Sequence, residues 1–132
     1  MYKLALFFFS IFISINSFAQ WDYVTKSFFG KAYYVDLETV TKSDGLVSWS
    51  ELSDYLKPGK FDVMSVKAGV LGDCETSRIK TLYVIFYKQA MGMGQGTEYN
   101  ISIDKWEKAT PGTVVGRILD FICERTKIIE DT

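Results

Sequence analysis

The chain has 132 residues, with 15 lysines and arginines against 16 aspartates and glutamates, two cysteines and no histidine. That length suits one domain with one core, and a near-neutral, slightly acidic balance is not that of a nucleic-acid binder. The missing histidine removes Ser-His and Cys-His nucleophile systems and the usual histidine-ligated zinc sites.

The chain opens "MYKLALFFFSIFISINSFAQ". Lys3 supplies a positive start, residues 4–15 an apolar run of signal-peptide length, and Ser17 and Ala19 the small residues of a cleavage site. A membrane-spanning helix needs about 20 apolar residues. Residues 1–19 are therefore expected to be a cleavable secretory signal, leaving 20–132 as one mature domain with no later membrane span. No cysteine lies near the cut, so a lipid anchor is not expected. Export would place Cys74 and Cys123 in an oxidising compartment, where an even count suggests a disulfide. Its loop of roughly 50 residues would be worth on the order of 4 kcal/mol. Two buried thiols or a redox pair are the alternatives, and the wide spacing disfavours the redox pair.

Most of the mature chain reads as strands. "YVTKSFF" and "KAYYVDL" are short β-rich runs flanking Gly30. "LETVTKSDG" reads as a helical turn ending at Asp44-Gly45. "LVSWSELSDYLK" is a long strand that stops at the Lys57-Pro58-Gly59-Lys60 turn. "FDVMSVKAGVLGDC" returns beside it, with Gly69 and Gly72 hinting at bulges.

"SRIKTLYVIFYKQA" is the clearest strand. Strict alternation puts Ile79, Thr81, Tyr83, Ile85 and Tyr87 on one face and Arg78, Lys80, Leu82, Val84, Phe86 and Lys88 on the other. Its middle is apolar on both sides, so each face needs a cover: a helix, a curled sheet edge, or a partner such as a second copy in a homodimer. The one convincing helix is in "ATPGTVVGRILDFICERTK", with Thr110 as N-cap and Pro111 in first position. Val115, Ile118, Leu119, Ile122 and Cys123 make its apolar stripe, with Arg117, Asp120, Glu124 and Lys127 facing away.

The glycine-rich run "QAMGMGQGTEY" carries no phosphate-binding signature. No Lys-Ser or Lys-Thr follows Gly96, and after Gly92 and Gly94 the third fingerprint position is Thr97. A hairpin connection is the plain reading, and no cofactor is expected. Carboxylate pairs, Asp36 with Glu38 or Glu51 with Asp54, leave hydrolysis as a minor alternative, which needs two such groups flanking a cleft; solvated charges at strand ends are the plain reading. Lys67, Arg78, Lys80 and Lys88, from two adjacent strand candidates, can form a basic patch, with solvated strand ends as the plain alternative. Trp49, Tyr55 and Trp106 are large aromatics suited to core or partner contact. Met91 and Met93 offer an adaptable surface or fold back on the core. Of these, Trp49, Tyr55, Lys67, Arg78, Lys80, Met91 and Met93 are the seven candidate partner-binding residues. Asn100-Ile101-Ser102 matches a glycosylation sequon, a short and frequent pattern that is accidental if the source is bacterial.

The runs "YYVDLETV", "GLVSWSELSDYLKPG", "SVKAGVLGDCETSRIKTL", "YKQAMGMGQG" and "KWEKATPGTVVGRILDFIC", in this order, resemble the bacterial surface-adhesin protein E-like family. The resemblance implies an α+β fold: an antiparallel sheet of about six strands with one C-terminal helix packed on it and tied by a disulfide. It also implies a non-enzymatic binding module. Family members known as adhesins are displayed at the outer membrane and bind host proteins such as extracellular-matrix components. The missing lipobox cysteine sets a soluble periplasmic ligand-binding or envelope-accessory protein beside surface display. No family binding residue is carried over.

Overall fold

The computed structural model describes residues 20–100 and 105–130. The expected signal segment lies outside the described residues. Strands β1 (Asp22–Lys26), β2 (Ala32–Ser43), β3 (Leu46–Asp54), β4 (Ser65–Asp73) and β5 (Arg78–Tyr87) form an antiparallel meander. Both β6 (Thr97–Tyr99) and the two-residue β7 (Glu107–Lys108) pair with the outer edge of β5. Helix α1 (Val114–Glu130) ends the described chain. The α+β architecture expected from the sequence is therefore present.

Two irregularities change the sequence reading. The helical turn expected in "LETVTKSDG" is strand instead. Residues 37–40 of β2 bulge out opposite Trp49, between the pairs Asp36↔Ser50 and Thr41↔Ser48. The Asp36 carboxylate accepts the Glu38 N–H at 3.1 Å, and the Thr39 hydroxyl donates to the Asp36 carbonyl while accepting the Ser50 N–H. These bonds satisfy backbone that the ladder leaves unpaired. β-branched Thr39, Val40 and Thr41 also favour strand over helix.

The second irregularity lies in β5. Gly69 pairs with Tyr83, but the next β4 residue, Val70, pairs with Thr81, so Leu82 is the extra residue of a bulge. Alternation reverses there. Ile79, Thr81, Val84 and Phe86 share one face; Arg78, Lys80, Tyr83, Ile85 and Tyr87 share the other. The strict period-two assignment is corrected accordingly. Gly69 sits where any Cβ would lie 2.3 Å from the Tyr83 ring, so it is glycine that lets this tyrosine lie against the sheet. Gly72 marks no bulge; its missing side chain admits Trp49 and Leu119, each within 2.8 Å of where a Cβ would be.

The main core lies under α1. Val35, Val47, Trp49, Val70 and Ile79 from the sheet meet Ile118, Leu119 and Ile122 from the helix. Arg117, Asp120, Glu124 and Lys127 are exposed, as the helical period requires. The helix starts later than its Thr-Pro motif suggests. Thr110-Pro111-Gly112-Thr113 is a turn closed by Thr113 N–H donating to the Thr110 carbonyl, with Gly112 at φ +83°. Proline second and a positive-φ glycine third is the type II pattern. Thr113 is the N-cap, its hydroxyl accepting the Gly116 N–H at 3.1 Å.

Cys74 and Cys123 form a disulfide with Cα atoms 5.8 Å apart, tying the β4–β5 turn to the helix. That turn is set by Asp73, whose carboxylate accepts the N–H groups of Glu75 and Thr76. Hydrogen bonds from Thr76, side chain first, hold the Asp73 carboxyl below its ordinary value.

Candidate functional site

The helix covers one face of the sheet. The other is covered only in part, by the connection between β5 and β6. There Met91 N–H donates to the Asp54 carboxylate at 2.8 Å, and Gly92 N–H to the Ser65 hydroxyl at 2.9 Å. The Ser65 hydroxyl in turn donates to the Gln89 carbonyl at 2.6 Å. Leu52, fully buried, is packed beneath Gly92. The glycine-rich run is thus a tethered flap. Two of its N–H groups, which an anion would need, are already bonded within the chain.

Beside this flap the open face collects aromatic and basic side chains. Tyr23 and Tyr34 are cross-strand partners whose rings meet edge to face, 5.7 Å between centroids. The row continues through Leu52 and Lys67 to Ile85. The Lys67 ammonium lies 6.0 Å from the Trp21 ring centroid, at the limit of cation–π range. Trp21, Lys67, Tyr87, Met91 and Met93 line a hollow of about 360 Å³. Burial, helped by Tyr83 and Glu98, raises the Tyr87 phenol above its ordinary value. At the far end of the same face Arg78 and Lys80 lie 5.6 and 5.7 Å from the Trp106 ring centroid.

Five of the seven sequence-derived candidates, Lys67, Arg78, Lys80, Met91 and Met93, therefore share one face. The other two do not join them. Trp49 is 3% exposed and packs in the core under the helix. Tyr55 lines a separate trough of about 790 Å³ at one end of the sheet, with Lys31, Phe61, Phe86 and Tyr99. Sequence reasoning passed over Trp21, Tyr23, Tyr34 and Tyr87. Alternation in "WDYVTK" marks Trp21 and Tyr23 as one face, but which face follows only from the β1–β2 register.

The carboxylate pairs do not converge. Glu51 and Asp54 are an odd number of residues apart on β3 and point to opposite faces, and Asp54 is engaged by the flap. Asp36 organises the β2 bulge, while Glu38 is exposed. Glu51 instead belongs to the covered face, where it accepts a 2.9 Å hydrogen bond from the Trp49 indole N–H. Burial pushes its carboxyl up to about 6, against the lowering effect of that bond. It also helps raise Tyr33, after burial and Tyr55.

A raised Glu51 has a testable consequence. The folded chain holds this proton more tightly than the unfolded one, whose value is near the ordinary 4.5. Stability from this group is therefore greatest below that value and falls as pH rises through about 6, then stays level. Urea midpoints measured from pH 4 to 8 should show wild type losing stability relative to Glu51→Gln across this window. Parallel profiles would contradict the assignment.

Among the described residues no helix is long and apolar enough to cross a membrane, and no cluster of three metal-ligating side chains occurs.

A small disulfide-stapled α+β domain, with a helix packed on one face of the sheet and none on the other, is the class that fold and site define. The chain belongs to the surface-adhesin protein E family, whose model matches residues 21–124. Solved structures of Haemophilus influenzae protein E share the fold. One crystal form superposes with a TM-score of 0.58 at 19% identity, covering 80% of this chain and 87% of that one. Protein E from a non-typeable strain gives 0.52 at 18% identity, covering 77% and 75%. No curated protein sequence matches.

Proposed function

We propose that this protein is an exported, non-enzymatic binding module of adhesin type, which contacts a protein partner through the helix-free face of its sheet. The observation that carries this is the composition of that face. Trp21, Tyr23, Tyr34 and Tyr87 supply rigid aromatic area, Met91 and Met93 an adaptable surface, and Lys67, Arg78 and Lys80 positive charge. Aromatic and methionine enrichment is the mark of protein contact surfaces. Peripheral lysines and arginines steer an acidic partner more than they tighten it.

The partner class implied by family membership is an extracellular-matrix or envelope protein. The non-enzymatic reading is supported by the divergence of Glu51 from Asp54 and by the hydrogen bonds that occupy the glycine-rich flap. Residues 1–19, read as a secretory signal, support export, with the mature chain beginning at Gln20.

Fractionation combined with proteolysis of intact cells tests the location. An exported adhesin is expected in the envelope fraction without residues 1–19 and is digested on whole cells. Full protection until osmotic shock releases the protein would instead favour a soluble periplasmic accessory protein. Retention of residues 1–19 in the intact mass would refute the processing step.

A further inference from the structure

The two ends of the sheet differ in character. At one end lie the β2–β3 and β4–β5 turns, built from Asp44-Gly45 and from the disulfide-bonded Cys74 with Glu75, Thr76 and Ser77, none of them a large exposed apolar residue. At the other lie the β1–β2, β3–β4 and β5–β6 connections. Phe28 and Phe29 form the first tip and are 98% and 90% exposed; Phe61, on the second, is 91% exposed. Leu56 is also exposed. The first two tips are neighbours: a Cβ on Gly30 would lie 3.0 Å from the Leu56 side chain, and the Lys31 ammonium sits 4.2 Å from the Tyr55 ring centroid.

The same end is basic. Lys26, Lys31, Lys57, Lys60 and Lys88 surround these tips, and Asp62 is the one acid within residues 26–31 and 55–64. Phe61 and Asp62 both sit at positive φ, 58° and 59°. Non-glycine residues hold that conformation at a cost, and here it accompanies a phenylalanine turned out into solvent.

We propose that this end of the sheet docks on an anionic membrane surface, its phenylalanine tips entering the interfacial layer and its lysines engaging lipid headgroups. Exposed apolar tips within a basic collar are what an anionic interface takes: the apolar groups gain by burial and the cations by the negative surface potential. A second copy fits poorly, because a two-fold contact through this end would set each lysine collar against another. The docking leaves the open face of the sheet standing beside the membrane, so it does not compete with the protein contact proposed above.

The test is co-sedimentation of the mature chain, residues 20–132, with vesicles of phosphatidylcholine containing 30% phosphatidylglycerol, and with pure phosphatidylcholine. Binding is expected to the anionic vesicles, to weaken in high salt, and to fall at least tenfold in Phe28→Ser/Phe29→Ser. These side chains lie outside the core, so unchanged near-ultraviolet dichroism should accompany the loss. Independently, brominated lipid in anionic vesicles should quench a larger share of the indole emission of Phe28→Trp than of wild type, whose own indoles are Trp21, Trp49 and Trp106. No binding at low salt, or binding indifferent to the serine changes, would overturn the proposal. So would photo-cross-links from position 28 that reach a protein rather than lipid in cells, or self-association abolished by the serine changes.

Discussion

Replacing Cys123 by alanine is expected to lower the unfolding free energy by about 2–5 kcal/mol, the usual cost of losing a native disulfide from a small secreted domain. The bridge closes a segment of sequence separation 49 and joins the β4–β5 turn to the middle of the one α-helix among the described residues. Without it the helix is held by one stripe, Ile118, Leu119 and Ile122, against the sheet. The unfolded chain also regains the freedom that the cross-link removes. Denaturant unfolding should show the loss for Cys123→Ala, for Cys74→Ala and for the double variant alike, since each removes the same bond. Reductant should bring wild type to the same midpoint and leave the variants unmoved. A midpoint unchanged by the substitution, or wild type insensitive to reductant, would show that the bridge does not carry this stability.

Trp49→Ala is expected to cost about 3–5 kcal/mol, the range for truncating a buried aromatic. Trp49 lies at the centre of the covered face, opposite the bulged residues 37–40 of β2 and against Gly72. The ring fills space that glycine at position 72 leaves open, so alanine leaves a cavity between sheet and helix that neither neighbour can close. The indole N–H is also lost, and with it the bond that restrains the Glu51 carboxyl. Trp49→Phe separates the two effects: it keeps most of the volume and forfeits the hydrogen bond, so it should cost much less and raise Glu51. Urea unfolding of both variants, with the pH dependence of each, distinguishes them. Equal costs for alanine and phenylalanine would mean that packing of the ring is not what Trp49 contributes.

The order of strands, the helix stripe and the cysteine pair were legible in the sequence because each rests on local pattern. Ile118, Leu119 and Ile122 recur at helical spacing, and Pro58-Gly59 punctuates the chain between β3 and β4. The bulges were not legible. A period-two reading of β5 holds only up to Leu82, where one inserted residue exchanges the faces of Tyr83 to Tyr87; nothing local marks Leu82, and the cause is its pairing with β4. The β2 bulge likewise depends on Ser50, from the neighbouring strand, donating to Thr39. The N-cap moved from Thr110 to Thr113 because Gly112 takes a positive φ that no helix admits.

The candidate site followed the same division. Lys67, Met91 and Met93 were chosen by residue type, and the structure brings them to one hollow. Trp49 was chosen by the same rule, yet its parity on β3 turns it under the helix. Phe28 and Phe29 carried a signal in the sequence: two large apolar residues directly before Gly30, at a turn where polar residues are usual.

The open face of the sheet as the protein-contact surface is tested most directly by photo-cross-linking in intact cells that express the full chain. A photoreactive phenylalanine analogue would replace Tyr23 or Tyr34 on that face, or Asp120 or Glu124 on the outer side of the helix. Adducts to a protein of defined mass are expected from positions 23 and 34, to be weakened by Lys67→Glu, and to be missing from positions 120 and 124. Adducts from the helix positions with none from 23 and 34 would contradict it.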